Sequence, residues 1–118
     1  MAVYHMGRIP NPLLDGNRVY QTMEIQVQNH SHEPFNVLIL VYHEETLLRV
    51  TLNKVFPANS QGSVLSLEPI CCAYDQLHLH IVTNTPDCAS ASIHVTMRDV
   101  RGVTVAEFTE LECGMEEG

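Results

Sequence analysis

Tryptophan is absent from the 118-residue sequence, and basic residues are scarce: six lysines and arginines stand against fourteen aspartates and glutamates, a formal net charge of −8. The basic residues are scattered along the chain, at Arg8, Arg18, Arg49, Lys54, Arg98 and Arg101. Nucleic acids and anionic membrane surfaces are both bound through a basic patch. The composition therefore argues against nucleic acid and membrane as partners, and the lack of tryptophan removes the side chain that stacks best on a base or a sugar.

Long apolar runs and catalytic motifs are also missing. The longest purely apolar run, residues 37–42, is far shorter than the roughly 20 residues of a transmembrane helix, and the first residues lack the apolar segment of a secretory signal. No glycine-rich phosphate loop, G-x-S-x-G elbow, H-E-x-x-H motif or C-x-x-C pair occurs. We therefore expect a protein that is not an enzyme, needs no cofactor and is made in the cytoplasm.

Alternation of apolar and polar residues at period two dominates what is present, and it predicts β-strands. Residues 76–99 alternate on both sides of a Pro-Asp turn, which predicts a β-hairpin with one apolar face. Residues 35–41 are apolar on both faces, as is typical of a central buried strand or of a strand with one face against a partner. About seven short strands with regular turn signals predict an all-β fold, a single antiparallel β-sandwich of immunoglobulin-like or jelly-roll type, over residues 19–111.

The two ends of the chain differ from this pattern. In residues 1–18, Pro10 and Pro12 interrupt any strand ladder, and a turn follows at Asp15. This segment nevertheless carries six large apolar residues, which we expect to contact a neighbouring subunit as an N-terminal arm: Val3, Tyr4, Met6, Ile9, Leu13 and Leu14. The alternative is an arm packed on its own domain. Residues 112–118 are predicted to form an acidic C-terminal tail.

Four cysteines, Cys71, Cys72, Cys88 and Cys113, fall in predicted loops or in the tail. This placement favours disulfides or cross-links between subunits, and free, unreactive thiols are the alternative. Adjacent cysteines do not bond each other comfortably, so Cys71 and Cys72 would need different partners. Within one chain, four cysteines allow about three pairings, and the sequence does not choose among them.

Histidines are concentrated near the predicted hairpin. If the hairpin is symmetric about Asp87, His80 faces His94 across the strands and His78 lies diagonal to both. Three such imidazoles are candidate ligands for zinc or copper. We favour a polar outward face without metal, because neither strand offers a carboxylate to support the ligands. A third possibility is a pH-sensitive contact, since clustered histidines repel one another when protonated.

Three segments carry a resemblance to a known group of proteins: residues 25–31 (IQVQNHS), 56–60 (FPANS) and 97–102 (MRDVRG). In its rhythm of strands and turns over residues 20–108, the chain resembles small β-sandwich proteins of the spore surface of Firmicutes, of the endospore appendage subunit type. The resemblance implies polymerisation through an N-terminal connector, cross-linking by disulfides and a final place on a spore or cell surface. The leader of this chain has no cysteine, so no linkage pattern is transferred from those proteins.

These observations together predict a structural subunit that assembles with copies of itself into a surface filament or coat. The N-terminal arm and the loop cysteines would join the copies. Two alternatives remain: a monomeric β-sandwich module that binds a protein or a sugar, and a small metal-binding protein that uses the clustered histidines.

Overall fold

A computed structural model describes residues 1–116, which form twelve β-strands. The strands are β1 (Ala2–Pro10), β2 (Leu13–Leu14), β3 (Asn17–Arg18), β4 (Thr22–Asn29), β5 (Phe35–His43), β6 (Thr46–Val55), β7 (Val64–Ser66), β8 (Ile70–Cys71), β9 (Gln76–Thr83), β10 (Ala91–Arg98), β11 (Thr104–Phe108) and β12 (Glu112–Met115). A 3-10 turn, η1 (Cys88–Ser90), lies between β9 and β10. Within the described residues, no helix combines the length and the apolar character that crossing a membrane requires.

The strands build two antiparallel sheets that pack face to face. Sheet 1 has the strand order β12-β1-β9-β5-β6. Sheet 2 has the order β11-β10-β4-β7, and β8 also pairs with β4. A separate small ribbon joins β2 and β3. The predicted all-β fold with an antiparallel sandwich is confirmed.

The core lies between the sheets because each central strand turns alternate residues inward. The inward side chains of both sheets form one buried cluster. Its largest members, all less than 2% exposed, are Met23, Ile25, Val27, Val37, Ile39, Val41, Val55, Leu77, Leu79, Ile81, Val95 and Met97. The period-two pattern therefore identified the inward residues of β4, β5, β9 and β10 correctly.

The predicted hairpin at residues 76–99 is wrong. Strand β9 pairs with β1 and β5 in sheet 1, whereas β10 pairs with β4 and β11 in sheet 2. The connection crosses the sandwich, and Asp87 stabilises it by accepting hydrogen bonds from the backbone nitrogens of Ala89 and Ser90. Alternation specifies which face of a strand is apolar, but it does not specify the partner strand.

Most of the predicted N-terminal arm is a strand of the chain's own sheet. Strand β1 lies between β12 and β9, and it buries Ala2, Tyr4 and Ile9 in the core. The Tyr4 hydroxyl donates to the backbone carbonyl of Cys88 at 2.8 Å. Pro10 is tolerated because it is the last residue of the strand. Of the predicted arm, the part that forms strands outside the two large sheets is the β2-β3 ribbon.

Of the other predicted arm residues, two lie on β1 and two lie on the ribbon. Val3 and Met6 are half-buried on β1, whereas Leu13 and Leu14 on the ribbon are 60% and 65% exposed. Asn11, which is fully buried, fixes the chain between β1 and the ribbon by donating to the carbonyls of Tyr20 and Cys72 and accepting from the Tyr20 nitrogen. The leader is therefore anchored on its own domain as far as Asn11.

The predicted C-terminal tail is also partly a strand. Glu112–Met115 form β12, which pairs with β1 at the edge of sheet 1. A disulfide joins Cys113 on β12 to Cys88 in η1. Residues 117–118 of the predicted tail lie outside the described residues. The disulfide thus ties the last strand to the crossing between the sheets.

Breaking the Cys88–Cys113 disulfide is expected to lower the free energy of unfolding by about 3 kcal/mol, because the bond closes a long loop in the unfolded chain across a sequence separation of 25 residues. Urea unfolding of the oxidised protein and of the Cys88→Ala/Cys113→Ala double variant measures this difference. Cys71→Ser, which removes an exposed unbonded thiol, is the matched control and should change little. Equal midpoints for the oxidised protein and the double variant would contradict the stabilising role.

Candidate functional site on the outer face of sheet 1

The outer face of sheet 1 is apolar. The register of β6, β5, β9 and β1 aligns its outward residues into three rows. The first row is Leu52, Leu38, Val82 and Val3; the second is Val50, Leu40, His80 and His5; the third is Leu47, Tyr42 and His78. Because β5 already buries Val37, Ile39 and Val41 inward, its second apolar face is left pointing to solvent.

Exposure within this face is greatest on the edge strand β6. Leu52 is 70% exposed, Val50 is 56% exposed and Leu47 is also exposed. The residues of the three rows on β5, β9 and β1 are half-buried. Contiguous exposed apolar surface of this kind marks an interaction site on a monomer.

Sheet 2 presents the opposite chemistry on its outer face. On its central strands the outward residues are polar or charged: Glu24, Gln26 and Gln28 on β4, and Ser92, His94 and Thr96 on β10. An antiparallel sheet with one face in the core and one in water normally shows this alternation. The apolar outer face of sheet 1 is therefore a specific property of that sheet and not of the whole surface.

The three rows carry no aspartate, glutamate, lysine or arginine, although the chain has a net charge of −8. Charged residues border the rows: Lys54 follows on β6, and Glu112 lies opposite His5 on β12. The only ionisable groups within the rows besides the Tyr42 phenol are the three histidines.

His5, His78 and His80 form a cluster at the β1–β9 side of this face. The Nδ1 atom of His5 lies 3.1 Å from the Nε2 atom of His80, within hydrogen-bond distance. The ring centroids are 4.6 Å apart for His5 and His80, and 5.4 Å apart for His5 and His78. Partial burial, and then the neighbouring rings of His5 and His78, lower the pKa of His80.

A β-bulge shapes the space beside the cluster. The pairing of β1 with β9 shifts register between Met6 and Ile9, and Arg8 has a positive φ of 43°. Gly7 lies in the bulge, and the imidazoles of His5 and His78 pack directly over it. A Cβ atom on Gly7 would lie 2.7 Å from Nε2 of His5 and 2.8 Å from Nε2 of His78. Bulges of this kind often redirect side chains at functional sites.

The predicted histidine trio is therefore brought together only in part. His78 and His80 are neighbours on β9, but His94 lies on β10 in sheet 2, where its Nε2 atom is 3.5 Å from a carboxylate oxygen of Glu107. His5 takes the place assigned to His94, because β1 pairs with β9. The alternation of Val3 and His5 with Ala2 and Tyr4 indicates a strand in this segment. The nearby prolines instead favour an irregular arm.

A second polar cluster lies at the β5–β6 turn. The Nε2 atom of His43 is 2.7 Å from Oδ1 of Asp75, and the ring of Tyr74 stacks on His43 at 4.8 Å. One ligand atom from each of His43, Glu44 and Asp75 lies within 4.8 Å of the others. The hydrogen bond from His43 lowers the pKa of the Asp75 carboxyl. The hydrogen bond between His43 and Asp75 holds these two side chains together.

The four cysteines have three different environments. Cys88 and Cys113 are bonded to each other, Cys71 is exposed, and Cys72 is fully buried. Burial, followed by the nearby Cys71, raises the pKa of Cys72 to about 12. Cys71 is thus the free thiol available for a cross-link, and Cys72 is unreactive at neutral pH.

Comparison with protein-family models, with curated proteins and with solved structures finds no match for this chain.

Alkylation of the native protein is expected to modify Cys71 and leave Cys72 intact, because a thiol with a pKa of about 12 is ionised in only about one molecule in ten thousand at pH 8. Mass spectrometry after brief treatment with iodoacetamide measures the modification. The Cys71→Ser variant should acquire no rapid label. The unmodified chain, unfolded without reduction, should acquire two labels, at Cys71 and Cys72. Rapid labelling of Cys72 in the folded protein would contradict its burial.

Replacing His43 by Phe is expected to raise the pKa of Asp75 toward the ordinary carboxyl value, because the main cause that lowers it is the hydrogen bond from His43. The pair stabilises the fold above the ordinary carboxyl pKa, and this contribution is lost as the pH falls through the lowered pKa. A carbon-detected NMR titration follows the Asp75 carboxyl directly. His32→Phe, a change at an exposed loop histidine, should leave that titration unaltered, and an unaltered titration in His43→Phe would refute the assignment.

Proposed function

We propose that this chain is a structural subunit that associates with copies of itself through the outer face of sheet 1. The observation that carries the proposal is the set of three rows on the outer face of sheet 1, in which eight of the eleven side chains are apolar. Leaving such a face in water costs free energy, at roughly 25 cal/mol for each Å² of apolar surface. Association is the direct way to remove that cost.

The charge distribution favours a second copy as the partner. Two chains that each carry a net charge of −8 repel each other over most of their surfaces. The three rows contain no carboxylate, so two copies can approach there without opposing like charges. A two-fold contact brings the same face of each copy together, which is the commonest arrangement in homo-oligomers.

The edge strand β6 supports extension beyond a pair. It has ten residues and is the last strand of sheet 1 on that side. An edge strand offers unpaired backbone groups to a strand from another chain. Arg49 and Lys54 on β6 reduce this tendency without removing it. A face contact combined with an edge contact is suited to a filament or a coat.

The proposed contacts replace those expected from the sequence. Strand β1 pairs on both sides inside its own sheet, so its backbone is not offered to a neighbour, and it contributes to the proposed face only through Val3 and His5. Cys88 and Cys113 are paired within the chain, which leaves Cys71 for a cross-link. A stable disulfide is typical of oxidising surroundings, and this supports a place on a spore or cell surface, as does the resemblance to endospore appendage subunits.

The size of the face indicates a contact of moderate strength. The rows hold eleven residues, whereas a standard stable interface involves about 20–30 residues on each side. A single face contact is therefore expected to be reversible and dependent on concentration. Repetition of the contact, or a covalent bond at Cys71, would make the assembly persistent.

Leu52→Lys is expected to weaken self-association at least tenfold, because each copy would bury an unpaired ammonium in place of an apolar side chain. Sedimentation velocity over a range of protein concentrations measures the association. Val100→Lys is the matched control: Val100 is 66% exposed, but it lies in the turn after β10, away from sheet 1. Both variants change the net charge equally, and Val100→Lys should associate like the unmodified chain.

An unmodified chain that stays monomeric up to millimolar concentration would refute the proposal and favour the monomeric binding module. Equal association of Leu52→Lys and Val100→Lys would show that copies meet through another surface, which also contradicts it.

A further inference from the structure

We propose that His43, Glu44 and Asp75 bind a divalent transition-metal ion of the zinc class at the β5–β6 turn. All three ligands belong to one chain, so the proposal does not depend on self-association. His43 and Asp75 are 32 residues apart in the sequence, and the fold alone brings them together. No short motif in the sequence therefore marks this site.

Convergence of three ligand atoms is the observation that carries the proposal. One ligand atom from each of His43, Glu44 and Asp75 lies within 4.8 Å of the others. The ligand atoms of a tetrahedral zinc site are about 3.4 Å apart, because each bond to the ion is about 2.0–2.2 Å long. Movements of roughly 1 Å would therefore bring all three atoms to bonding distance from one ion. Glu44 and Asp75 are exposed and free to make them.

The pairing of sheet 1 holds two of the ligands in place. His43 is the last residue of β5, and Asp75 immediately precedes β9, the strand that pairs with β5. The backbone carbonyl of Asp75 accepts a hydrogen bond from the buried Asn11 nitrogen at 2.9 Å. The ring of Tyr74 stacks on His43. A site that is largely formed before the ion arrives loses less conformational entropy on binding.

Open space lies beside the third ligand. Glu44 borders a cavity of about 530 Å³, whose other lining residues are Arg8, Glu45, Gln76, Leu77 and His78. A zinc ion with three protein ligands keeps a further position for water. The cavity provides room for that water on the Glu44 side of the ion.

The charge of the ligand set suits a divalent transition metal. Two carboxylates and one neutral imidazole together carry two negative charges, which balance the charge of the ion. The imidazole nitrogen favours zinc and related metals over magnesium and calcium, which prefer oxygen ligands. On the cavity wall, the positive charge of Arg8 is offset by Glu45. The net charge of −8 adds a general attraction for cations.

Calorimetric titration of tag-free, chelator-treated protein with zinc chloride tests the site. The measurements use a Cys71→Ser background, because the exposed thiol would otherwise bind zinc. This parent should bind about one equivalent of zinc, and magnesium chloride should give no binding heat. Glu44→Gln, Asp75→Asn and His43→Phe should each lower the zinc affinity at least tenfold.

Two matched controls lie outside the ligand set. Glu45→Gln removes the same charge as Glu44→Gln at the next, equally exposed residue of the turn, and it should bind zinc like the parent. His32→Phe, at an exposed loop histidine, should do the same. Thermal unfolding without metal shows whether each variant is folded. Glu44→Gln, a change at an exposed turn side chain, keeps the test valid even if Asp75→Asn fails to fold.

Histidine NMR provides a second readout that locates the ion. The ring signals of His43 should shift when zinc is added, and those of His5, His78 and His80 should not. Shifts confined to those three rings would overturn the assignment to the β5–β6 turn.

Absence of zinc binding below millimolar concentration would overturn the inference. Unchanged binding in both Glu44→Gln and Asp75→Asn would do so as well, and an equal loss in Glu45→Gln would show attraction to general negative charge only. Leu52→Lys, which is designed to weaken self-association, should bind zinc like the parent. Loss of zinc binding in that variant would contradict a site formed within one chain.

Discussion

The pairing of β1 between β12 and β9 is the constraint on which the rest of this structure depends. It makes sheet 1 five strands wide. It also buries Tyr4 under the crossing between the sheets, where the Tyr4 hydroxyl donates a hydrogen bond to the Cys88 carbonyl. It also gives β12 a strand to pair with, so that Cys113 reaches Cys88. Without β1 in this place, His5 would not lie beside His78 and His80, and the outer face of sheet 1 would lose one of its four apolar strands.

The outer face of sheet 1 has two chemically different sides. The β5–β6 side is apolar and most exposed at Leu52, and it suits contact with a second copy. The β1–β9 side carries the imidazoles and the bulge at Gly7. Since sheet 2 turns polar residues outward, the chemistry of the molecule is concentrated on one side of the sandwich.

The sequence predicts the fold class and the inward residues, because these follow from local alternation along each strand. It does not predict which strands pair. The hairpin at residues 76–99 fails for this reason, since its two strands belong to opposite sheets. The sequence does not predict strand β1, because Pro10 and Pro12 suggest that no strand forms there, whereas Pro10 is only the last residue of the strand. The histidine cluster depends on the β1–β9 register, so only His78 and His80 could be grouped beforehand. The Cys88–Cys113 pairing was one of several that the sequence allowed.

The central claim is that the outer face of sheet 1 is the surface through which this protein acts. The most direct test is a series of amide NMR spectra recorded at increasing protein concentration. The account predicts that signals from β5, β6 and β9 shift with concentration while those from β4 and β10 stay fixed. Shifts confined to β4 and β10, or no shifts at all up to the solubility limit, would contradict it.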